Sequence, residues 1–156
     1  MNPHRTGKTV ADLLGPRRGA VFSVAPDDSA LLALRRMAER DVGALVVLDR
    51  EALAGIVSER DCARKLEVRG RLARDTPVRD VMQTRVLYVT PGHTVGRCMA
   101  LMHRDRIRHL PVVDGARVVG MVSVRDVLED AVAADERLIG TLSADRMRMT
   151  TNTGGY

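Results

Sequence analysis

From Val24 to Cys62 the chain is followed, at a constant offset of 65 residues and with no gap, by a second version of itself. Val24, Pro26 and Met37 recur as Val89, Pro91 and Met102. Leu45, Val47 and Asp49 recur as Leu110, Val112 and Asp114. The segment Gly55-Ile56-Val57-Ser58-Glu59-Arg60-Asp61 recurs as Gly120-Met121-Val122-Ser123-Val124-Arg125-Asp126. Turn and cap residues match as well as apolar ones, so the correspondence exceeds shared periodicity. Each copy is too small to bury a sheet alone, which predicts an α+β fold of two β-α-β-β-α repeats packed face to face about a pseudo-two-fold axis.

The elements follow from the pattern within each copy. Val10 to Leu14 begins a short apolar helix that Gly15-Pro16 stops, and Val21 to Val24 reads as a strand. Pro26-Asp27-Asp28-Ser29 supplies turn and cap for a helix through Arg40, with Leu31, Leu34 and Ala38 at helical spacing. Two apolar runs, Ala44 to Leu48 and Leu53 to Val57, flank a turn, and Ser58 opens a helix through about Val68. Residues 71–77 are polar and charged and read as the connection. In the second copy Val78 to Met82 echoes Val10 to Leu14, and Val86 to Val89 is a strand. A helix then carries Val95, Met99 and Met102. Leu110 to Val113 and Val118 to Val122 form a hairpin around Asp114-Gly115. A final helix starts at Ser123 and runs past Leu138. The organisation is therefore a flexible arm (1–9), repeat one (10–70), a connection (71–77), repeat two (78–131), and a helical extension with a disordered tail (132–156).

Chemistry concentrates at the duplicated Gly-x-x-Ser-x-x-Asp. Each serine sits where an N-cap belongs and each aspartate lies in the first helical turn, near the positive end of the helix dipole. A hydroxyl, a carboxylate and unpaired backbone N–H groups at one helix start suit a ligand with a phosphate beside a diol. One Ser-x-x-Asp alone is no more than a helix cap; duplication in register, with a matching glycine, argues for binding. Arg60 and Arg125 either steer phosphate or are merely solvated.

Composition excludes several classes. The 25 basic residues, all arginine except Lys8 and Lys65, are interspersed with 20 acids and leave a net charge of +5. With only Phe22, Tyr88 and Tyr156 as aromatics, there is no stacking platform or helix-turn-helix for specific nucleic-acid binding. No apolar run has the length of a membrane span, and no secretory signal is present. Cys62 and Cys98 are too few for a disulfide framework and read as small core residues, consistent with a cytoplasmic protein. The histidines show no metal-ligand spacing. Neither a phosphate-binding loop nor a dinucleotide fingerprint occurs, so no catalytic machinery is expected.

With these residues in hand, the chain from about Val10 to Ala131 resembles a tandem pair of CBS domains (named for cystathionine β-synthase), a Bateman module. The two Gly-x-x-Ser-x-x-Asp segments, the paired Val-x-Pro starts and Arg108-His109-Leu110-Pro111-Val112-Val113-Asp114 carry the resemblance. It is similar to stand-alone bacterial signal-transduction proteins of this type. The resemblance implies a non-catalytic sensor of cellular energy that binds AMP, ADP or ATP between the repeats, with NAD(H) or S-adenosylmethionine as alternatives. Asp61 and Asp126 would then hold ribose hydroxyls, Ser58 and Ser123 would meet phosphate, and Val21 and Val86 would lie along adenine. Arg108 and His109 would face the phosphate. Repeat one has Gly43 and Ala44 at those two positions, so the site of repeat two is expected to be tighter. A homodimer with helix–helix contacts and a regulated partner protein are implied as well. The competing reading is an interaction module with degenerate clefts that docks on an enzyme or transporter.

Overall fold

Turn residues alternating with apolar runs produce a helix, a hairpin and a second helix in each half. In the computed structural model, which describes residues 7–151, the first half contains α1 (Val10–Leu14), β1 (Ser23–Val24), α2 (Ala30–Arg40), β2 (Ala44–Asp49), β3 (Ala52–Ser58) and α3 (Glu59–Lys65). The second half contains α4 (Val95–Asp105), β4 (His109–Asp114), β5 (Arg117–Ser123) and α5 (Val124–Thr151). Ser29 and Thr94 cap α2 and α4, accepting from the N–H of Leu32 and Arg97 at 3.1 and 3.2 Å. Both helices end in a left-handed residue, Asp41 and Arg106. Their buried faces, Ala30, Ala33 and Met37 on one and Val95, Cys98 and Met102 on the other, follow the i, i+3, i+7 spacing of an amphipathic helix.

β2 and β3 pair antiparallel with Val46 opposite Ile56, and β4 and β5 with Pro111 opposite Met121. Both hairpins carry a register irregularity at the same place, Val47/Leu48 and Val112/Val113. The turn residue between the strands is left-handed in each case, Arg50 in the first and Gly115 in the second. Two hydrophobic cores result, one centred on β2 and β3 and the other on β4 and β5.

The leading segments of the two repeats are exchanged. Val10 and Leu14, at the start of repeat one, are buried in the core of repeat two with Val89, Cys98, Leu110 and Val122. Val78 and Val81, at the start of repeat two, are buried in the core of repeat one with Val24, Met37, Leu45 and Val57. Matching backbone bonds pin both. Val10 N–H donates to the carbonyl of His93 and Val78 N–H to that of Asp28, each at 2.8 Å. The motif glycines are explained by this exchange. A Cβ on Gly120 would lie 2.9 Å from Leu14 Cδ1, and one on Gly55 would lie 2.6 Å from the Gln83 carbonyl oxygen. Only glycine lets the exchanged segment cross its strand so closely.

Three expectations need revision. The strand predicted over Val86 to Val89 is reduced to a single bridge, Val89 to Val112. In repeat one, β1 pairs parallel with β2 and Val46 N–H donates to the Phe22 carbonyl at 3.3 Å. Pro111 stands at the equivalent position and has no N–H to give, which ends the ladder. β1 itself is confined to Ser23–Val24. The helix after Ser58 stops at Lys65 instead of about Val68; a 3₁₀ turn, Glu67–Arg69, and the left-handed Gly70 then reverse the chain. The connection 71–77 is anchored, because Thr76 is buried, donates its hydroxyl to the Leu72 carbonyl at 2.9 Å and accepts Ala30 N–H at 2.8 Å.

At the ends, residues 1–6 of the expected arm and 152–156 of the expected tail lie outside the described residues. Thr9 caps α1, and Lys8 pairs with Asp130 on α5. Cys62 and Cys98 are buried, and burial chiefly, with Asp61 and Glu59 adding, pushes the Cys62 thiol up to about 11. An unreactive core thiol is the consequence.

Candidate functional site

The corner where β5 meets α5 is built from local sequence. Ser123 ends the strand in an extended register opposite His109, and Val124 N–H donates to the Arg108 carbonyl at 2.8 Å. Three residues into the turn, Asp126 closes a capping box. Its Oδ2 accepts Ser123 N–H at 2.8 Å and the Ser123 hydroxyl at 3.0 Å, while Ser123 Oγ accepts Asp126 N–H at 3.2 Å. The corner between β3 and α3 repeats this: Asp61 Oδ2 accepts Ser58 N–H at 3.0 Å and the Ser58 hydroxyl at 2.8 Å.

The second carboxylate oxygen differs between the corners. Asp61 Oδ1 accepts from the amide of Gln83 at 2.8 Å, whereas Asp126 Oδ1 accepts from Arg17 Nη1 at 3.0 Å. Gln83 and Arg17 both come from exchanged leading segments, so each motif aspartate is completed by a residue from the other repeat.

A cavity of about 540 Å³ opens over the Asp126 corner, between the repeats. That size is within the range of small-molecule sites. Its floor is Gly120, Met121, Ser123 and Asp126, and Val21, Phe22, Ala44 and Val46 of repeat one form the apolar wall. Arg108 and His109 enter from the start of β4, and Arg17, Arg40 and Arg125 line the rim together with Asp41 and Glu129, which both pair with Arg125. The Arg40 guanidinium lies over the Phe22 ring at 5.1 Å from its centroid, which turns one arginine toward the apolar wall. Burial holds His109 below the usual histidine range; Arg108 adds to this and Asp126 opposes it. The imidazole is therefore neutral at pH 7 and gains a proton readily only if an anion settles beside it.

Six of the ten residues singled out from sequence thus line one cavity: Val21, Arg108, His109, Ser123, Arg125 and Asp126. The other four, Ser58, Arg60, Asp61 and Val86, do not line it. Val21 shares its cavity with the aspartate of the opposite repeat, Asp126, a juxtaposition that the linear motif does not reveal. Arg17, Phe22 and Arg40 were missed altogether. Arg17 lies 109 residues from its carboxylate partner, and no local pattern signals a contact made by segment exchange. Among the described residues no group of three or more His, Cys, Asp or Glu is placed to hold a metal ion.

The family model for the CBS domain matches residues 10–68 and again 78–133. The chain belongs to the CBS domain family. Its CBS pair is 41% identical over 123 residues to the mitochondrial CBS domain-containing protein CBSX3 of Arabidopsis thaliana, a match covering 76% of this chain and 60% of that one. Two further Arabidopsis relatives, CBSCBSPB5 and CBSCBSPB4, are spanned over only 21% of their length. Among solved structures, the CBS domain NE2398 superposes with a TM-score of 0.76 at 41% identity, covering 80% of this chain and 98% of that one. A protein from Burkholderia ambifaria MC40-6, described as a signal-transduction protein with CBS domains, gives 0.78 at 39% identity over 81% and 95%. The α+β pair of repeats is the fold of these neighbours, and the CBS pair is a regulatory type of module. Among the described residues no helix is long and apolar enough to cross a membrane.

Proposed function

We propose that this CBS pair is a non-catalytic sensor that binds an adenosine nucleotide, AMP, ADP or ATP, in the cleft over Asp126. The observation that carries the reading is the convergence of Ser123, Asp126, Arg108 and His109 on one cavity whose opposite wall is apolar. The wall of Val21, Phe22 and Val46 suits a purine, the Asp126 carboxylate suits ribose hydroxyls, and the arginines suit phosphate. Ser123 spends its only hydroxyl proton on Asp126, so the phosphate falls to Arg108 and the neighbouring arginines of the cavity rather than to Ser123. NAD(H) and S-adenosylmethionine share the adenosine end and fit the same recognition. Ligand binding stabilises the module by mass action, and it signals only insofar as one conformation or assembly binds better.

A second copy of the chain is the partner we favour for α5. Leu128, Val132, Leu138 and Ile139 are each more than half exposed along that helix, a surface suited to helix–helix association in a homodimer. The same face also favours the alternative reading, docking on a regulated enzyme or transporter with the clefts idle.

Thermal unfolding with and without ligand separates the two. A sensor shows a rise in Tm with AMP and a smaller one with 2′-deoxy-AMP, and mass spectrometry of the denatured protein detects an adenosine compound. No shift with any adenosine ligand at millimolar concentration would leave only the docking reading.

A further inference from the structure

Asp126 has more donors assigned to it than a free ribose clamp would have. Its Oδ2 already accepts two hydrogen bonds from Ser123, which fills that oxygen's two lone pairs. Both ribose hydroxyls must therefore be accepted at Oδ1, where Arg17 occupies one of the two remaining positions at 3.0 Å. A ligand offering one hydroxyl leaves Arg17 in place; a vicinal diol needs both positions.

Arg17 is built to leave. Its side chain is 54% exposed, against 14% for Asp126, which the capping box holds. The backbone that carries it is fixed: Gly19 N–H donates to the Val119 carbonyl at 2.7 Å, and Arg18 N–H to that of Gly15 at 3.2 Å. The guanidinium can thus swing inside the cavity it already lines while its Cα stays in place. At the Asp61 corner the equivalent donor is the neutral amide of Gln83, whose displacement strands no charge.

Resting on the nucleotide-binding reading above, we infer that Arg17 sets the ligand class of this cleft. It covers Asp126 Oδ1 while the cleft is empty, and it yields that oxygen to a diol when the ligand also brings an anionic group to pair with the displaced guanidinium. Neutral adenosine gains the carboxylate at the cost of the Arg17–Asp126 ion pair and offers Arg17 no anion in return, so it binds more weakly than a nucleotide. A nucleotide returns a partner to Arg17 and suffers no such loss.

The test is calorimetric titration of adenosine and AMP into the wild type, Arg17→Met and Arg18→Met. Methionine keeps much of the aliphatic stem and has no donor, so both lone pairs of Oδ1 are left open. Arg17→Met should bind adenosine about 3- to 10-fold more tightly and AMP about 3- to 10-fold more weakly, the scale of one ordinary hydrogen bond, because Arg17 is half-exposed. The preference for AMP over adenosine then falls roughly 10- to 100-fold. Arg18→Met, which alters only the pair with Asp114, should keep the wild-type preference. Weaker adenosine binding in Arg17→Met, or an unchanged preference, would overturn the inference while leaving nucleotide binding intact. If the wild type binds neither ligand at millimolar concentration, the nucleotide reading fails and this inference with it.

Discussion

Gly55 and Gly120 look interchangeable in the sequence, yet the exchanged segments make them unequal. A Cβ at Gly55 meets backbone, the Gln83 carbonyl, whereas one at Gly120 meets the end of the Leu14 side chain, which can rotate away. Gly55→Ala should therefore cost about 2–3 kcal/mol and Gly120→Ala about 1 kcal/mol, within the overpacking range. Urea unfolding of the two variants reads this directly, and equal or reversed costs would contradict the packing described. His109 gives a pH signature. Burial lowers its pKa in the folded protein, with Arg108 assisting and Asp126 opposing. The unfolded chain therefore takes up this proton first as pH falls. The stability associated with His109 is complete above its ordinary value of 6.5 and declines as pH falls from there toward the lower folded value. A Tm profile from pH 7.5 to 5 should flatten in His109→Gln; an identical slope would exclude this origin. The roles of Ser123 and Asp126 as cap residues were legible because capping boxes are local. The Arg17 contact was not, because nothing near Arg17 encodes it.

At the scale of elements, sequence pattern located helices and hairpins well and lone strands badly. The hairpins of β2–β3 and β4–β5 are bounded by turns that must be left-handed, and those turns are visible as Asp-Arg-Glu and Asp-Gly-Ala. The first strand of each repeat depends instead on a parallel neighbour, and the presence of Pro111 in place of Val46 decides whether that ladder extends. Exchange of the leading segments was the larger omission. An echo between Val10 to Leu14 and Val78 to Met82 is visible, but periodicity does not say which core each apolar face enters. Leu14→Ala tests the exchange. It removes a side chain that is 2% exposed in the second core and should destabilise by about 2–5 kcal/mol. Hydrogen exchange should accelerate first in α4 and β5. Faster exchange confined to β2 and β3 would place α1 in its own repeat and refute the exchange.

The whole molecule combines two near-copies into unequal halves. Repeat two brings Arg108 and His109 to its cleft where repeat one has Gly43 and Ala44, and Arg17 rather than Gln83 meets its aspartate. The duplication and the Arg108-His109 difference were visible in the sequence, whereas the composite nature of the cleft emerged only when the halves were packed. The exposed face of α5 predicts association. Sedimentation should give twice the chain mass of 17.1 kDa for the wild type, and the double substitution Leu128→Glu with Val132→Glu should return it to one chain. A wild-type monomer would remove the homodimer from the account.

Nucleotide binding on this reading belongs to the Asp126 corner and not merely to the fold. Calorimetric titration of AMP into the wild type, Asp126→Ala and Asp61→Ala tests it, since both variants lose the same kind of capping box and differ only in the cleft they alter. Asp126→Ala should weaken AMP by about 10- to 100-fold, the loss of a charge-assisted contact of roughly 1.5–3 kcal/mol, while Asp61→Ala should stay within about threefold of the wild type. Unchanged affinity in Asp126→Ala, or a larger loss in Asp61→Ala, would contradict it.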